Sequence, residues 1–252
     1  GHSLPHPEQP DWVRLNVQEW VAPHLQEAYG AAWGREIAAL EAPLQAKALC
    51  VGGRGNMGDG VKMAWRLGAD LRDMGFIKGT FGNHPKAGSE EHTALMAVYK
   101  GAIAVNLSAR RFVDESLSYK LLGSASLEQE GDFTWQIFDQ PIYDSHEEEV
   151  SIFDVRHRHH EGMLVEANTL EDLAAKTGLD PAALKATVAR YNANVRAGGD
   201  PDFHRRHLVH NHGALVPIEP PPFYAHASTA ALYGTYCGLT VDPGMGVRDV
   251  FN

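Results

Sequence analysis

Hydrophobic and polar positions alternate in a readable order along the chain. From Trp12 to about Leu44, apolar residues such as Val17, Trp20, Val21, Leu25, Ala28 and Tyr29 recur at helical spacing. A Gly-rich stretch follows, and the spacing then predicts a helix over 61–72 with Val61, Ala64, Trp65 and Leu67 on its buried side. Between 76 and 165, short strand-like runs alternate with turns: AIAVN at 102–106, RRFVDE at 110–115, FTWQIFD at 133–139 and VSIFDV at 150–155. Residues 169–196 carry two helical patterns. The first opens on Thr169 in a capping-box-like Thr-Leu-Glu-Asp, and the second on Asp180 with Pro181 at the first helical position. After Gly198-Gly199 the chain is loop-rich through Pro220-Pro221-Pro222 and finishes in short apolar runs over 229–241.

Composition narrows the function classes. The chain has 252 residues, 44% of them hydrophobic and 21% charged, which is the make-up of a globular protein with a real core. A net charge of −10 argues against nucleic acid as the main partner. No apolar run approaches the roughly 20 residues of a membrane helix. Cys50 and Cys237 are too few for a disulfide framework, which makes a reducing cytoplasm the expected compartment. Residues 1–10, rich in Pro and His, read as an extended leader beginning in a tag remnant, Gly1-His2-Ser3.

The stretch ALCVGGRGNMGDGVKMAWRLGADLRDM holds Gly53-x-Gly55-x-x-Gly58, with Asp73 twenty residues past Gly53. By spacing this is a dinucleotide fingerprint. Such a site also needs a second strand that delivers the acid to the ribose. The pattern runs as helix up to Asp73 and shows no such strand, so a standalone dinucleotide domain is not expected. Gly58-Asp59-Gly60 instead opens a helix whose first N–H groups are free to meet a phosphate or a polar ring edge.

GDGVKMAWRLGADLRDM resembles the Gly-Asp-Gly helix of the fumarate reductase/succinate dehydrogenase-like FAD flavoproteins, which include tricarballylate dehydrogenase-like enzymes and 3-ketosteroid dehydrogenases. KGAIAVNLSARRFVDES, then TLEDLAAKTGLDPAALKATVARYNANVRAGGDPDFHR, then PPPFYA and GTYCGLTVD continue the resemblance over roughly residues 52–250. It implies FAD as cofactor and a hydride exchanged with a small-molecule substrate at a carbon next to a carbonyl or carboxylate. The family's N-terminal Gly-rich segment and its C-terminal flavin-touching segment have no counterpart here. The expectation is therefore an α+β substrate-capping domain, a small mixed sheet with flanking helices, whose partner is the FAD-binding domain of the same protein. Its boundaries are expected at 11–75 for the helical connection, 76–225 for the cap and 226–252 for the return strands.

The resemblance also implies site residues. Asn56, Gly58, Asp59, Gly60 and Thr235 fall at cofactor-side positions, with Met57 where a Thr is usual. His84, in His84-Pro85, lies on the substrate side. Arg111 and Glu115 of the Arg-Phe-Val-Asp-Glu motif are expected to brace the site as an ion pair. Where fumarate reductases carry a proton-delivering Arg, this chain has Tyr119, a different acid whose unperturbed pKa is near 10. Ala94-Leu95 and Val98 replace a Thr-Glu and an Arg, and Tyr233-Gly234 precede Thr235 where a His is expected. The carboxylate-gripping set is thus mostly absent, and Tyr99-Lys100-Gly101 resembles the tricarballylate and steroid branches. Tyr119 is expected to handle the proton, with His84 and Tyr99 orienting substrate.

Two His-rich clusters, 156–160 and 204–212, have no Cys pair and no H-E-x-x-H helix beside them, and no metal is expected. No G-x-S-x-G elbow occurs, which sets hydrolase chemistry aside. The competing class is a non-catalytic small-molecule-binding or interaction module derived from such a cap.

Overall fold

A computed structural model of the chain describes residues 47–53, 55, 58–73, 77–88, 91–209 and 212–251. The leader over 1–10, the helical pattern from Trp12 to Leu44, and Asn56 lie outside the described residues. In chain order the elements are β1 (Leu49–Cys50), α1 (Asp59–Arg66), β2 (Leu71–Arg72), β3 (Ile77–Asn83), a 3-10 helix (Ala97–Lys100), β4 (Ile103–Val105), α2 (Tyr119–Leu127), β5 (Thr134–Asp139), α3 (Gln140–Asp144), α4 (Val155–His160), β6 (Leu164–Ala167), α5 (Leu170–Thr177), α6 (Pro181–Arg196), β7 (Phe223–Thr235) and β8 (Gly238–Leu239). The described residues form two compact units, divided after Gly79 and again after Ala231.

The unit over Thr80–Ala231 is organised on the strand β7. Its residues Phe223–Ser228 pair antiparallel with Asp139–Thr134 of β5, and Phe223–His226 pair antiparallel with Ala167–Leu164 of β6. β5 pairs in turn with β4, and β3 also pairs with β7. With flanking helices this is the expected α+β arrangement. Side chains alternate along β5 and β7, so Thr134, Gln136, His226 and Ser228 share one face. Helix α2 packs on it closely enough that a Cβ on Gly123 would sit 2.5 Å from Thr80 O and 3.2 Å from the Ala230 Cβ.

Helices α5 and α6 form where their caps place them. The Thr169 hydroxyl accepts the Asp172 N–H at 3.0 Å, and the Asp180 carboxylate accepts the Ala183 N–H at 2.7 Å, with Pro181 in the first turn. α6 buries Leu184, Val188, Tyr191 and Asn192, a helical stripe, and the Asn192 amide exchanges two bonds with the Ile218 backbone. Residues 110–115 are not a strand: only Arg111 bridges to Val105, because Arg111 and Glu115 turn toward each other. Residues 151–153 form a single 3-10 turn before Asp154 caps α4.

In the other unit, the helix predicted to run to residue 72 ends at Arg66. Gly68 takes a φ of 93°, and Leu71–Arg72 become a strand paired with Gly238–Leu239 of β8. None of the residues of α1 is buried, and Leu67 is 89% exposed, contrary to its expected place in a core. A short strand therefore does precede Asp73. It lies in a different sheet from β1, so β1, α1 and β2 build no parallel dinucleotide unit.

Candidate active site

Arg111 and Glu115 lie at the centre of a buried four-charge cluster. Arg111 Nε and Nη2 donate to Glu115 at 2.8 and 2.5 Å, and its Nη1 and Nη2 donate to Asp200 at 3.0 and 2.8 Å. This is a bidentate pairing with two carboxylates. The guanidinium also lies over the Tyr191 and Phe203 rings at 5.0 and 4.9 Å. Glu115 accepts the Ala104 N–H at 3.1 Å and meets Arg205 Nη1 at 3.4 Å. Both arginines and both carboxylates are almost wholly removed from solvent. Burial pulls the Arg111 guanidinium down, and the bonds and charges of Glu115 and Asp200 more than reverse this, leaving it well above its ordinary value.

Arg205 carries this cluster to the 3-10 helix. Its Nη2 donates to Val98 O at 2.5 Å and its Nη1 to Ala102 O at 3.1 Å. The held segment presents Tyr99, which is buried and donates its hydroxyl to Leu117 O at 3.1 Å. Burial pushes the Tyr99 phenol up to about 12, so it acts as a neutral hydrogen-bond donor at physiological pH. Leu117 leads into α2, whose first residue is Tyr119, and the Tyr119 backbone N–H lies beside the Tyr99 oxygen. Tyr119 itself is 43% exposed. The two tyrosines picked out by sequence are thus brought together, one buried and one open.

His84 stands just past β3. Its backbone N–H donates to Thr93 Oγ1 at 3.0 Å, and its Nδ1 accepts the Lys86 N–H at 3.2 Å. That acceptor role puts the proton of the neutral ring on Nε2. Burial, with Lys86 nearby, lowers its pKa from 6.5. Its ring neighbour is His226, edge-on at 5.7 Å between centroids. His226 is fully buried and its pKa is pushed down to about 3, first by burial and then by His84 and Arg158.

His226, Asp200 and Arg205 were missing from the sequence-derived site. The last two stand in the DPDFHR run that resembles the family, so a signal existed. His226 lies among the small residues of FYAHASTAA, where only its spacing of two from Ser228 marks a shared face.

Of the residues expected on the cofactor side, Gly58, Asp59, Gly60 and Thr235 lie in the other unit. Gly58 adopts a left-handed φ of 71° at the start of α1, and no side chain caps that end. Asp59 is exposed and pairs loosely with Lys62 at 3.7 Å, and a Cβ on Gly60 would meet nothing. A helix start whose first N–H groups have no side-chain cap fits a phosphate or the polar edge of a flavin ring. Thr235 is exposed and accepts a bond from the Cys237 thiol at 3.0 Å. Among the described residues no group of three His, Cys, Asp or Glu side chains converges to hold a metal, and no helix is long and apolar enough to cross a membrane.

Residues 27–250 match the family described as FAD binding domain. The chain belongs to that family. FAD is its cofactor, and its relatives are oxidoreductases. The chain is 33% identical over 186 residues to NADH:acrylate oxidoreductase of Vibrio harveyi, an alignment covering 74% of this chain and 18% of that protein. It superposes on the open conformation of a flavocytochrome c3 fumarate reductase with a TM-score of 0.66 and 27% identity, covering 86% of this chain and 36% of that one. With 3-ketosteroid Δ1-dehydrogenase from Sterolibacterium denitrificans the TM-score is 0.63 at 26% identity, covering 91% of this chain and 43% of that one. The chain spans between about a fifth and two fifths of the length of these relatives.

Proposed function

We propose that this chain is the substrate-capping portion of an FAD-dependent oxidoreductase acting on a small molecule at a carbon next to a carbonyl or carboxylate. Residues 11–75 and 226–252 form the connections to the FAD-binding domain of the same protein, and 76–225 form the cap. The observation that carries the reading is the buried Arg111–Glu115–Asp200–Arg205 cluster, which fixes the 3-10 helix bearing Tyr99 beside a half-open Tyr119. A charge cluster of this rigidity, attached to an open phenol, is the arrangement of a preorganised proton-handling site.

Bound FAD supplies the acceptor or donor of the hydride. Gly58, Asp59 and Gly60, with Asn56 and Thr235, are the residues assigned to hold it. Tyr119 exchanges the proton with substrate through its hydroxyl, and Tyr99, whose one hydroxyl proton goes to Leu117 O, orients substrate by holding the turn that carries Tyr119. His84 orients a substrate oxygen through Nε2–H. Arg111 and Glu115 brace the site and take no part in proton transfer, since every strong bond they make is to each other, Asp200, Arg205 or the Ala104 backbone. The scarcity of carboxylate-gripping residues favours the tricarballylate and 3-ketosteroid branch over plain fumarate reduction. The two free cysteines suit a reducing cytoplasm.

The test is the flavin-loaded full-length protein with Tyr119→Phe. Removing a positioned acid should lower kcat by about 10²–10⁴-fold with KM little changed. Unchanged turnover would remove Tyr119 from the mechanism. A wild-type protein that binds small molecules yet never changes the oxidation state of flavin would favour a non-catalytic module.

A further inference from the structure

His226 has no role in the site as proposed, yet its surroundings are built with unusual care. Val98 N–H donates to Gln136 Oε1 at 3.0 Å, and Gln136 Nε2 donates to Leu95 O at 2.6 Å and to Ser228 Oγ at 2.8 Å. Ser228 Oγ lies 2.9 Å from His226 Nδ1. A polar chain thus runs through a buried sheet face, from the backbone beside Tyr99 to one nitrogen of His226. The other nitrogen, Nε2, is buried without a hydrogen-bond partner among the described residues, an arrangement that costs about 1–3 kcal/mol in a folded interior. A phenylalanine or leucine at 226 would carry no such penalty. The ring that this tethered imidazole touches edge-on is that of His84.

We propose that His226 is a positioning residue for His84: its ring, held through Nδ1 by Ser228 and Gln136, orients the His84 ring and closes its inner side to water. The same chain ties His84 to the 3-10 helix, so that the two substrate-orienting groups, His84 and Tyr99, share one polar scaffold. The charged groups that bear on the two imidazoles are Lys86 of the same loop, on His84, and His84 with Arg158 of α4, on His226, the two rings meeting edge-on. Arg158 is itself paired with Glu161 at 2.6 Å. The significance of the scaffold for substrate rests on His84 contacting it, as proposed above; the coupling of the two rings does not.

The experiment is a pH titration of the histidine side chains by 15N–1H NMR on the full chain. In the wild type, His84 should titrate below 6.5 as a single Nε2–H tautomer. In His226→Ala, water reaches the inner side of His84, its midpoint should rise by roughly half a pH unit or more, and the tautomers should mix. His226→Phe, which restores a ring without its tether, should recover the lowered midpoint only in part. If His226→Ala does not fold, Ser228→Ala leaves the ring in place but untethered and should raise the midpoint in the same direction. An unchanged His84 midpoint in the folded variants overturns the proposal. His84→Gln in the flavin-loaded full-length protein separates the two claims. Unchanged turnover there, with a shifted midpoint in His226→Ala, would refute the substrate role of His84 and leave the coupling standing.

Discussion

His226 should make this fold acid-sensitive in a way that one substitution removes. Its imidazole titrates at about 3 in the folded chain against an ordinary 6.5, so between those values the unfolded chain binds a proton that the folded chain refuses. Stability from this group is therefore complete above pH 6.5 and is lost as pH falls toward 3. At about 1.36 kcal/mol per pH unit the loss is about 2 kcal/mol by pH 5 and approaches 5 kcal/mol near pH 3. The second figure matches the whole stability of a marginal domain. Asp139 works in the opposite sense. Burial raises its carboxyl from 3.8 to about 6, so it adds stability as pH falls through that interval and masks part of the effect in any single protein. The comparison of wild type with His226→Phe cancels Asp139, because both proteins keep it. Urea unfolding at pH 7.5, 6 and 5 should give a stability difference that changes by about 2 kcal/mol in favour of the variant between the extremes. A constant offset from altered packing does not disturb this reading. Parallel pH profiles for the two proteins would refute the claim that His226 is held neutral by burial.

Other outcomes follow from the same structure. Glu115→Ala leaves the buried Arg205 with no carboxylate and Arg111 with Asp200 alone, and should cost about 3–5 kcal/mol in urea unfolding at pH 7, more than Asp200→Ala, after which both arginines still meet Glu115. Gly82→Ala forces a Cβ to 2.3 Å from Leu95 O at a φ of 91°, and should lower the urea midpoint by the equivalent of at least about 1–3 kcal/mol. Tyr99→Phe deletes the bond to Leu117 O and should raise KM more than it lowers kcat, measured in the flavin-loaded full-length protein; the reverse split would make Tyr99 a proton donor rather than an orienting group.

Much of this was legible where a local rule decides. Thr169, Asp180 and Pro181 announce helices because capping is a contact within three residues, and FTWQIFD announces β5 because its partner strands bury it. The opposite case is β7. Its thirteen residues include Ala225, Ala227, Ala230 and Ala231, which carry little strand propensity, and its polar His226 and Ser228 face inward, so the alternation test reads it as broken apolar runs. The predicted helix over 61–72 failed for a related reason: Leu67 and Leu71 keep helical spacing, while Gly68 between them ends the helix. Arg111 and Glu115 were found because the Arg-Phe-Val-Asp-Glu run they belong to carries the family resemblance. Their completion by Asp200 and Arg205, some ninety residues on, depends on α6 returning the chain to β4, which no local spacing encodes.

The cluster of Arg111, Glu115, Asp200 and Arg205 holds two positive and two negative charges, and it is sealed. A sealed neutral quartet cannot be edited one member at a time, since any single loss leaves a net charge where water cannot reach it. Descendants of this sequence that abandon the device should do so in cation–anion pairs. Laboratory evolution toward a new substrate should accumulate changes at Tyr119 and the loops around it long before it touches these four.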